Sequence, residues 1–137
     1  MGNATAAMRD QARTREQTAQ KTITAACDAA LTTLFNVVGS VEITKVRLEQ
    51  RQAAPAAMTS AAIRDNTGEL ILITAAASAR ANLLAAVSQV ANENGPWQLR
   101  DGATIRADLQ GTGATAHNMV CTIGWRALTR GATVTAA

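Results

Sequence analysis

Aromatic side chains are nearly absent from this 137-residue chain, which has no tyrosine, one phenylalanine and two tryptophans. Proteins that hold single-stranded nucleic acid stack its bases on aromatic rings. Both tryptophans fall at positions that the local pattern assigns to the core, so we expect no platform for base stacking. Contact with a nucleic-acid backbone needs positive charge rather than rings, and it remains the alternative.

Side chains that ligate metals or transfer protons are equally scarce. His117 is the only histidine in the sequence, and Cys27 and Cys121 lie far apart, with no further ligand at metal-site spacing from either. The sequence therefore predicts no metal site, no cofactor and no catalytic centre. The two cysteines are interpreted as reduced core residues, with a single disulfide as the alternative.

Long apolar runs are missing as well. The chain starts with polar residues where a signal peptide needs an apolar segment, and the most apolar window, residues 23–41, contains Asp28 and Asn36. We therefore expect a soluble protein with no signal peptide and no membrane contact. It would be located in the cytoplasm or within a virion particle.

Lysine is the rarer cation, because eleven arginines and two lysines give the net charge of +3. The forked guanidinium group favours paired contacts to a carboxylate or a phosphate. The arginines extend from Arg9 to Arg130 without forming a tract, so codon bias explains their number more simply than a function does. Three of them fall in predicted strands: Arg47, Arg64 and Arg106.

Two segments have the spacing of helices. Residues 1–21 are polar nearly all round and predict an N-terminal helix or arm. The apolar positions that follow are spaced by four, three and four residues, as on one face of a helix that ends near Gly39: Ile23, Cys27, Ala30 and Leu34. A second helix is predicted to begin at Ser78 and to stop at Asn94-Gly95-Pro96, with an apolar stripe of Leu83, Val87 and Val90.

The remaining segments predict β-strands. Residues 41–48 alternate with a change of phase that predicts a bulge near Lys45. Asp65 and Gly68 fit the ends of a type I turn in a hairpin, whose second arm, residues 70–73, is apolar on both faces and is predicted to be a central strand. A second hairpin is predicted about Asp101-Gly102. Two later strands should each bury one face: Ile105, Ala107 and Leu109, then Met119, Cys121, Ile123 and Trp125.

These elements together predict a single α+β domain over residues 1–137. Two helices would pack on a largely antiparallel sheet of five to six strands, in the order α-β-β-β-α-β-β-β. Residues 129–137 are predicted to be a small-residue C-terminal tail.

The stretch DLQGTGATAHNMV, residues 108–120, contains closely spaced glycines that could suggest a phosphate-binding loop. Such a loop needs a third glycine or a lysine and leads into a helix, whereas Gly111 and Gly113 lead toward a predicted strand. The stretch is therefore interpreted as a flexible connection that can contact a neighbouring subunit. His117 would be an exposed polar residue at its edge.

The arm, the loop and the tail together predict a non-enzymatic structural or assembly subunit, in a homo-oligomer or with other subunits of one assembly. A bacteriophage virion component of the head, neck or tail is the specific hypothesis, by analogy to that class of protein. The candidate interaction residues are Arg9, Arg13, Arg15, Gly111, Gly113 and His117. The alternative is a basic protein that binds nucleic-acid backbones without base specificity, and no small-molecule substrate is expected.

Overall fold

The computed structural model describes residues 15–23, 31–50, 58–79, 87–90, 97–111 and 119–137. This part of the chain is all-β and contains no helix. Its ten strands are β1 (Gln17–Ile23), β2 (Leu31–Val38), β3 (Val41–Gln50), β4 (Met58–Asp65), β5 (Ile71–Ile73), β6 (Val87–Val90), β7 (Trp97–Leu99), β8 (Thr104–Gly111), β9 (Met119–Ala127) and β10 (Thr133–Ala136).

The strands form two five-stranded antiparallel sheets. Sheet I has the order β1-β9-β3-β6, and β7 also pairs with β3. Sheet II has the order β10-β2-β8-β4-β5. Strands β6 and β7 occupy successive parts of the same edge of β3, so they act as one interrupted strand.

The pairing pattern is that of a jelly roll. When β6 and β7 count as one strand, β1 to β9 fill eight positions, and the first pairs with the last (β1 with β9) and the second with the seventh (β2 with β8). The third pairs with the sixth (β3 with β6 and β7), and the fourth pairs with the fifth (β4 with β5). This nested set, closed by the β9–β3 and β8–β4 pairs, gives the two-sheet roll. Strand β10 extends sheet II beyond β2.

Side chains from both sheets meet in one hydrophobic cluster. The predicted alternation is confirmed in β8, where Ile105, Ala107 and Leu109 are fully buried. It is also confirmed in β9, whose inward residues are Met119, Cys121, Ile123 and Trp125. Trp97 and Phe35 are the largest of the side chains that are completely buried in the described part of the chain, and Trp125 is nearly so. Burial of these apolar surfaces is the main favourable contribution to folding.

Three connections cross between the sheets at one end of the sandwich, which we call the turn end: residues 39–40, 100–103 and 128–132. They are bonded to one another. Gly39 N donates to Asp101 Oδ1 at 2.9 Å, and Ser40 N donates to Thr129 Oγ1 at 3.0 Å. Gly102 N donates to Val37 O at 3.1 Å. The three crossings therefore stabilise each other.

The α+β prediction is wrong, because both predicted helices contain strands. Ile23 ends β1 in sheet I, whereas Leu34 lies in β2 in sheet II. Their helical spacing arises because each residue reaches the same core from a different sheet. The second predicted helix contains β6. Ser78, its predicted first residue, lies in a turn, where its Oγ donates to Thr74 O and accepts from Ala61 N. Residues 24–30, 80–86 and 91–96 lie outside the described part.

The predictions of local strand features are confirmed more often than the predictions of which strands are neighbours in a sheet. The bulge near Lys45 is present as a register shift between Ile43 and Lys45. The hairpin about Asp65 and Gly68 is present between β4 and β5. However, β5 is an edge strand rather than a central one.

Two further segments differ from expectation. The turn at Asp101-Gly102 is not a hairpin, since β7 belongs to sheet I and β8 to sheet II. In the segment interpreted as a tail, residues 133–136 form β10, and Val134 is buried. In the segment interpreted as an N-terminal helix or arm, residues 17–21 belong to β1.

The thiol of Cys121 is free and lies inside the core. Desolvation by burial disfavours the charged thiolate and raises the pKa of Cys121 to about 12. Cys27 lies outside the described residues. Cys121 is therefore a protonated packing residue, with little nucleophilic character near neutral pH.

We expect Gly39→Ala to destabilise the fold more than Gly131→Ala. Both glycines have positive φ, 72° and 79°, so each alanine adopts the left-handed region at a cost of about 1–2 kcal/mol. At Gly39 a Cβ would also lie 2.8 Å from Ala132 Cβ, whereas at Gly131 it meets nothing within 4 Å. The overlap should add about 1–3 kcal/mol. Chemical denaturation of both variants measures the difference, and equal losses would contradict the close packing at Gly39.

We expect Cys121 to resist alkylation in the folded Cys27→Ser variant. With a pKa of about 12, roughly one thiol in ten thousand is ionised at pH 8, against roughly a quarter for an exposed cysteine. A maleimide or iodoacetamide time course should be about a thousandfold slower in buffer than in denaturant. Fast labelling of the native variant would show that the thiol is accessible.

Candidate interaction surface

The outer face of sheet I is polar and internally paired. Lys45 Nζ lies 3.8 Å from Glu16 Oε1, and Arg47 Nη1 lies 3.9 Å from Glu49 Oε2. Both pairs are exposed, so each contributes little to stability. Gln20 Nε2 also donates to Thr122 Oγ1 at 3.3 Å on this face. These features are typical of a surface covered by water.

The outer face of sheet II is different, because it carries exposed apolar side chains. Leu31, Val38 and Ile71 retain 39%, 54% and 48% of their accessible surface. In the described part of the chain, Leu128 is the one other large apolar side chain with comparable exposure. Register places Leu31 opposite Asp108 and Ile71 opposite Arg64, all pointing away from the core.

Two arginines stand side by side in the middle of this face. Arg64 in β4 is directly opposite Arg106 in β8, which puts their Cβ atoms about 4.5–5.5 Å apart. Arg106 Nε donates to Thr104 Oγ1 at 3.1 Å. Arg64 Nε is buried and has no hydrogen-bond partner among the described residues. Trp125 Nε1, in sheet I, is also buried without a hydrogen-bond partner in this part of the chain. The side chain of Arg64 lies against the turn at Gly68.

No described carboxylate forms an ion pair with either arginine of this pair. Asp108, the acidic residue nearest to Arg106 on the same strand, accepts a hydrogen bond from Gln110 Nε2. We call the surface formed by Leu31, Val38, Ile71, Arg64 and Arg106 the sheet II face. Arginine is among the residue types that are enriched at protein interfaces.

An open depression of about 370 Å³ lies at the turn end and is lined in part by Asp65, Glu69, Arg100 and Asp101. Its carboxylates serve local structure. Asp65 Oδ1 accepts from Gly68 N at 2.9 Å and from Leu70 N at 3.3 Å, and Asp101 accepts from Gly39 N. Within the described ranges no three His, Cys, Asp or Glu side chains are grouped so that they could hold a metal ion.

The structure describes two of the six residues selected from the sequence, and it does not bring them together. Arg15 is exposed, just before β1, whose residue Gln17 pairs with Trp125 near the turn end. Gly111 ends β8 opposite Met58, at the other end of the sandwich. Arg9, Arg13, Gly113 and His117 lie outside the described residues.

Sequence reasoning missed the apolar part of the sheet II face. The sequence pattern predicts that residues 70–73 form a central strand, which would bury Ile71, and that the stretch LTTLFNVV belongs to a helix. That stretch is rich in β-branched residues, and as a strand its alternation exposes Val38 beside the buried Val37. Arg64 and Arg106 were assigned to strands, but only the register shows that they are neighbours.

No family model and no curated protein matches the chain in sequence. Among solved structures, it is similar to a chain in the acid-stable capsid of the Helicobacter pylori bacteriophage KHP30, with a TM-score of 0.52 and 12% identity. That match covers 88% of this chain and 98% of the capsid chain. A match to the virus-like particle of the extra small virus of the prawn Macrobrachium rosenbergii has a TM-score of 0.37 at 12% identity, over 84% and 80% of the two chains, and is too loose to inform the fold. The described residues contain no helix that could span a membrane.

Proposed function

We propose that this chain is a non-enzymatic structural subunit that assembles with copies of itself into a capsid-like particle. The observation that supports the proposal is the two-sheet jelly-roll fold of this chain, which is similar, with a TM-score of 0.52, to 98% of a chain from a bacteriophage capsid. Jelly rolls serve as capsid domains and also as lectins and cupins, so fold alone supports the class only by analogy.

The sheet II face supports an assembly role over the other jelly-roll functions. Leu31 and Ile71 flank the arginine pair on this face, and a partner that covers this row of side chains would remove their exposed apolar area from water. The Cys121 thiol is buried and protonated, which makes it unsuited to act as a nucleophile.

The finer proposal is a component of a bacteriophage virion. The capsid match favours the head over the neck or the tail. In that case the chain resides within the virion particle.

Nucleic-acid binding is less well supported by the arrangement of charge. Arg47 and Arg126 lie on the outer face of sheet I, Arg64 and Arg106 on that of sheet II, and Arg100 and Arg130 near the turn end. In the described ranges these side chains do not form one continuous basic track, which phosphate binding along a strand requires.

The native mass of the purified chain tests the proposal. We expect light scattering to show a discrete oligomer or particle, and a protein that stays monomeric at high concentration would contradict it.

We also expect Ile71→Asp and Val38→Asp to weaken self-association at least tenfold. Each removes an apolar side chain that is about half exposed, whose covering by a partner is worth about 1 kcal/mol, and each adds a charge that the contact would desolvate. The matched control is Ser88→Asp, an exposed position on sheet I opposite Arg47, which should assemble normally. Circular dichroism should show that all three variants are folded. If the control weakens assembly as much as the other two, sheet II is not the interface.

A further inference from the structure

The Arg64–Arg106 pair is an unusual feature for a solvated sheet surface. Like charges directly opposite each other on neighbouring strands repel, and a matched acid across the strand normally relieves this. Here the described part of the chain offers no ion pair to either guanidinium. The buried Arg64 Nε has also lost its water without gaining an acceptor, which is unfavourable for a polar group.

We infer that Arg64 and Arg106 together bind a carboxylate group presented by a neighbouring protein subunit, at the centre of the sheet II face. This inference rests on the assembly role proposed above. A carboxylate between two guanidinium groups accepts charge-assisted hydrogen bonds from both and offsets their mutual repulsion. Arginine suits this role because its planar fork matches the two carboxylate oxygens, which a lysine ammonium does not.

The surroundings favour a protein as the source of the anion. Leu31 and Ile71 lie on either side of the pair in the strand order, on β2 and β5, and both are exposed. Apolar side chains around a central charged contact exclude water from it, and this arrangement strengthens protein interfaces. A phosphate backbone has no apolar complement for these side chains.

The neighbouring subunit can supply the acid from its own described surface. Glu69, exposed in the turn between β4 and β5, has a carboxylate that forms no ion pair and no side-chain hydrogen bond within the described part of its own chain. Glu69 does not lie on the sheet II face, so a contact between unlike surfaces of two copies would bring acid and arginine together. Contacts of this type build rings or open filaments rather than simple pairs.

The test compares two double variants of the full-length chain. Arg64→Gln/Arg106→Gln should weaken self-association at least about thirtyfold, because it removes one partner of a desolvated charge pair. It should also make self-association less dependent on salt concentration. Arg47→Gln/Arg126→Gln removes the same charge from the outer face of sheet I and should assemble like the unmodified protein. Sedimentation at several salt concentrations measures both effects.

Because Arg64 is partly buried, Arg64→Lys/Arg106→Lys provides a second test that keeps the charge. It should fold and should also assemble less well, since the fork is lost.

If both sheet II variants assemble normally while Ile71→Asp fails, the carboxylate inference is wrong and the assembly role stands. If the unmodified protein is monomeric, the assembly role itself is wrong. If the glutamine variant keeps its native mass and loses binding to duplex DNA at low salt, the anion is phosphate and the inference is overturned.

Discussion

The crossing between β2 and β3 is the constraint on which the rest of the sandwich depends. Packed sheets lie about 10 Å apart, and residues 39–40 alone carry the chain from sheet II to sheet I. So short a connection requires a backbone that turns sharply. Gly39 allows this turn because it adopts a φ of 72° and because it has no side chain that would overlap Ala132. The bond from Gly39 N to Asp101 then ties the β7–β8 crossing to the same corner.

Once that corner is set, the faces of the neighbouring strands follow. Val41 and Val37 both point into the core on either side of the turn. Alternation from these residues, with a change of phase at the bulge between Thr33 and Phe35 in β2 and at the bulge between Ile43 and Lys45 in β3, decides which residues face outward. The antiparallel register then determines which residues of the paired strands face outward. Arg106 therefore faces outward opposite Thr33, and Arg64 faces outward opposite Arg106. The sheet II face is thus a consequence of topology, although its residues are scattered from position 31 to position 106.

The sequence predicts those features that a few neighbouring residues determine. The alternation of Ile105, Ala107 and Leu109, the bulge near Lys45 and the turn at Asp65 each depend on side chains within a short window, and all three are confirmed. The partner of each strand is a long-range property. Asp101-Gly102 has good hairpin chemistry, yet the chain changes sheet there.

The failures have the same origin. The helical spacing of Ile23 and Leu34 is produced by two strands that enter one core from different sheets, and a periodicity count cannot detect this. For the same reason the candidate surface was recognised only in pieces. The sequence pattern correctly predicts that Arg64 and Arg106 lie on strands, but the register that makes them neighbours cannot be inferred from any local pattern.

The shape of sheet II favours assembly through its face rather than through its edges. Its outermost strands, β10 and β5, contain four and three residues, and short edge strands offer few backbone groups for pairing with another chain. The middle of the face combines exposed apolar side chains with two charges that have no counterpart in the described chain. Apolar contact would supply affinity there, while the arginines would admit only partners that present an acid in the right place. A subunit built in this way resists unspecific strand pairing and still retains one selective surface for its neighbours.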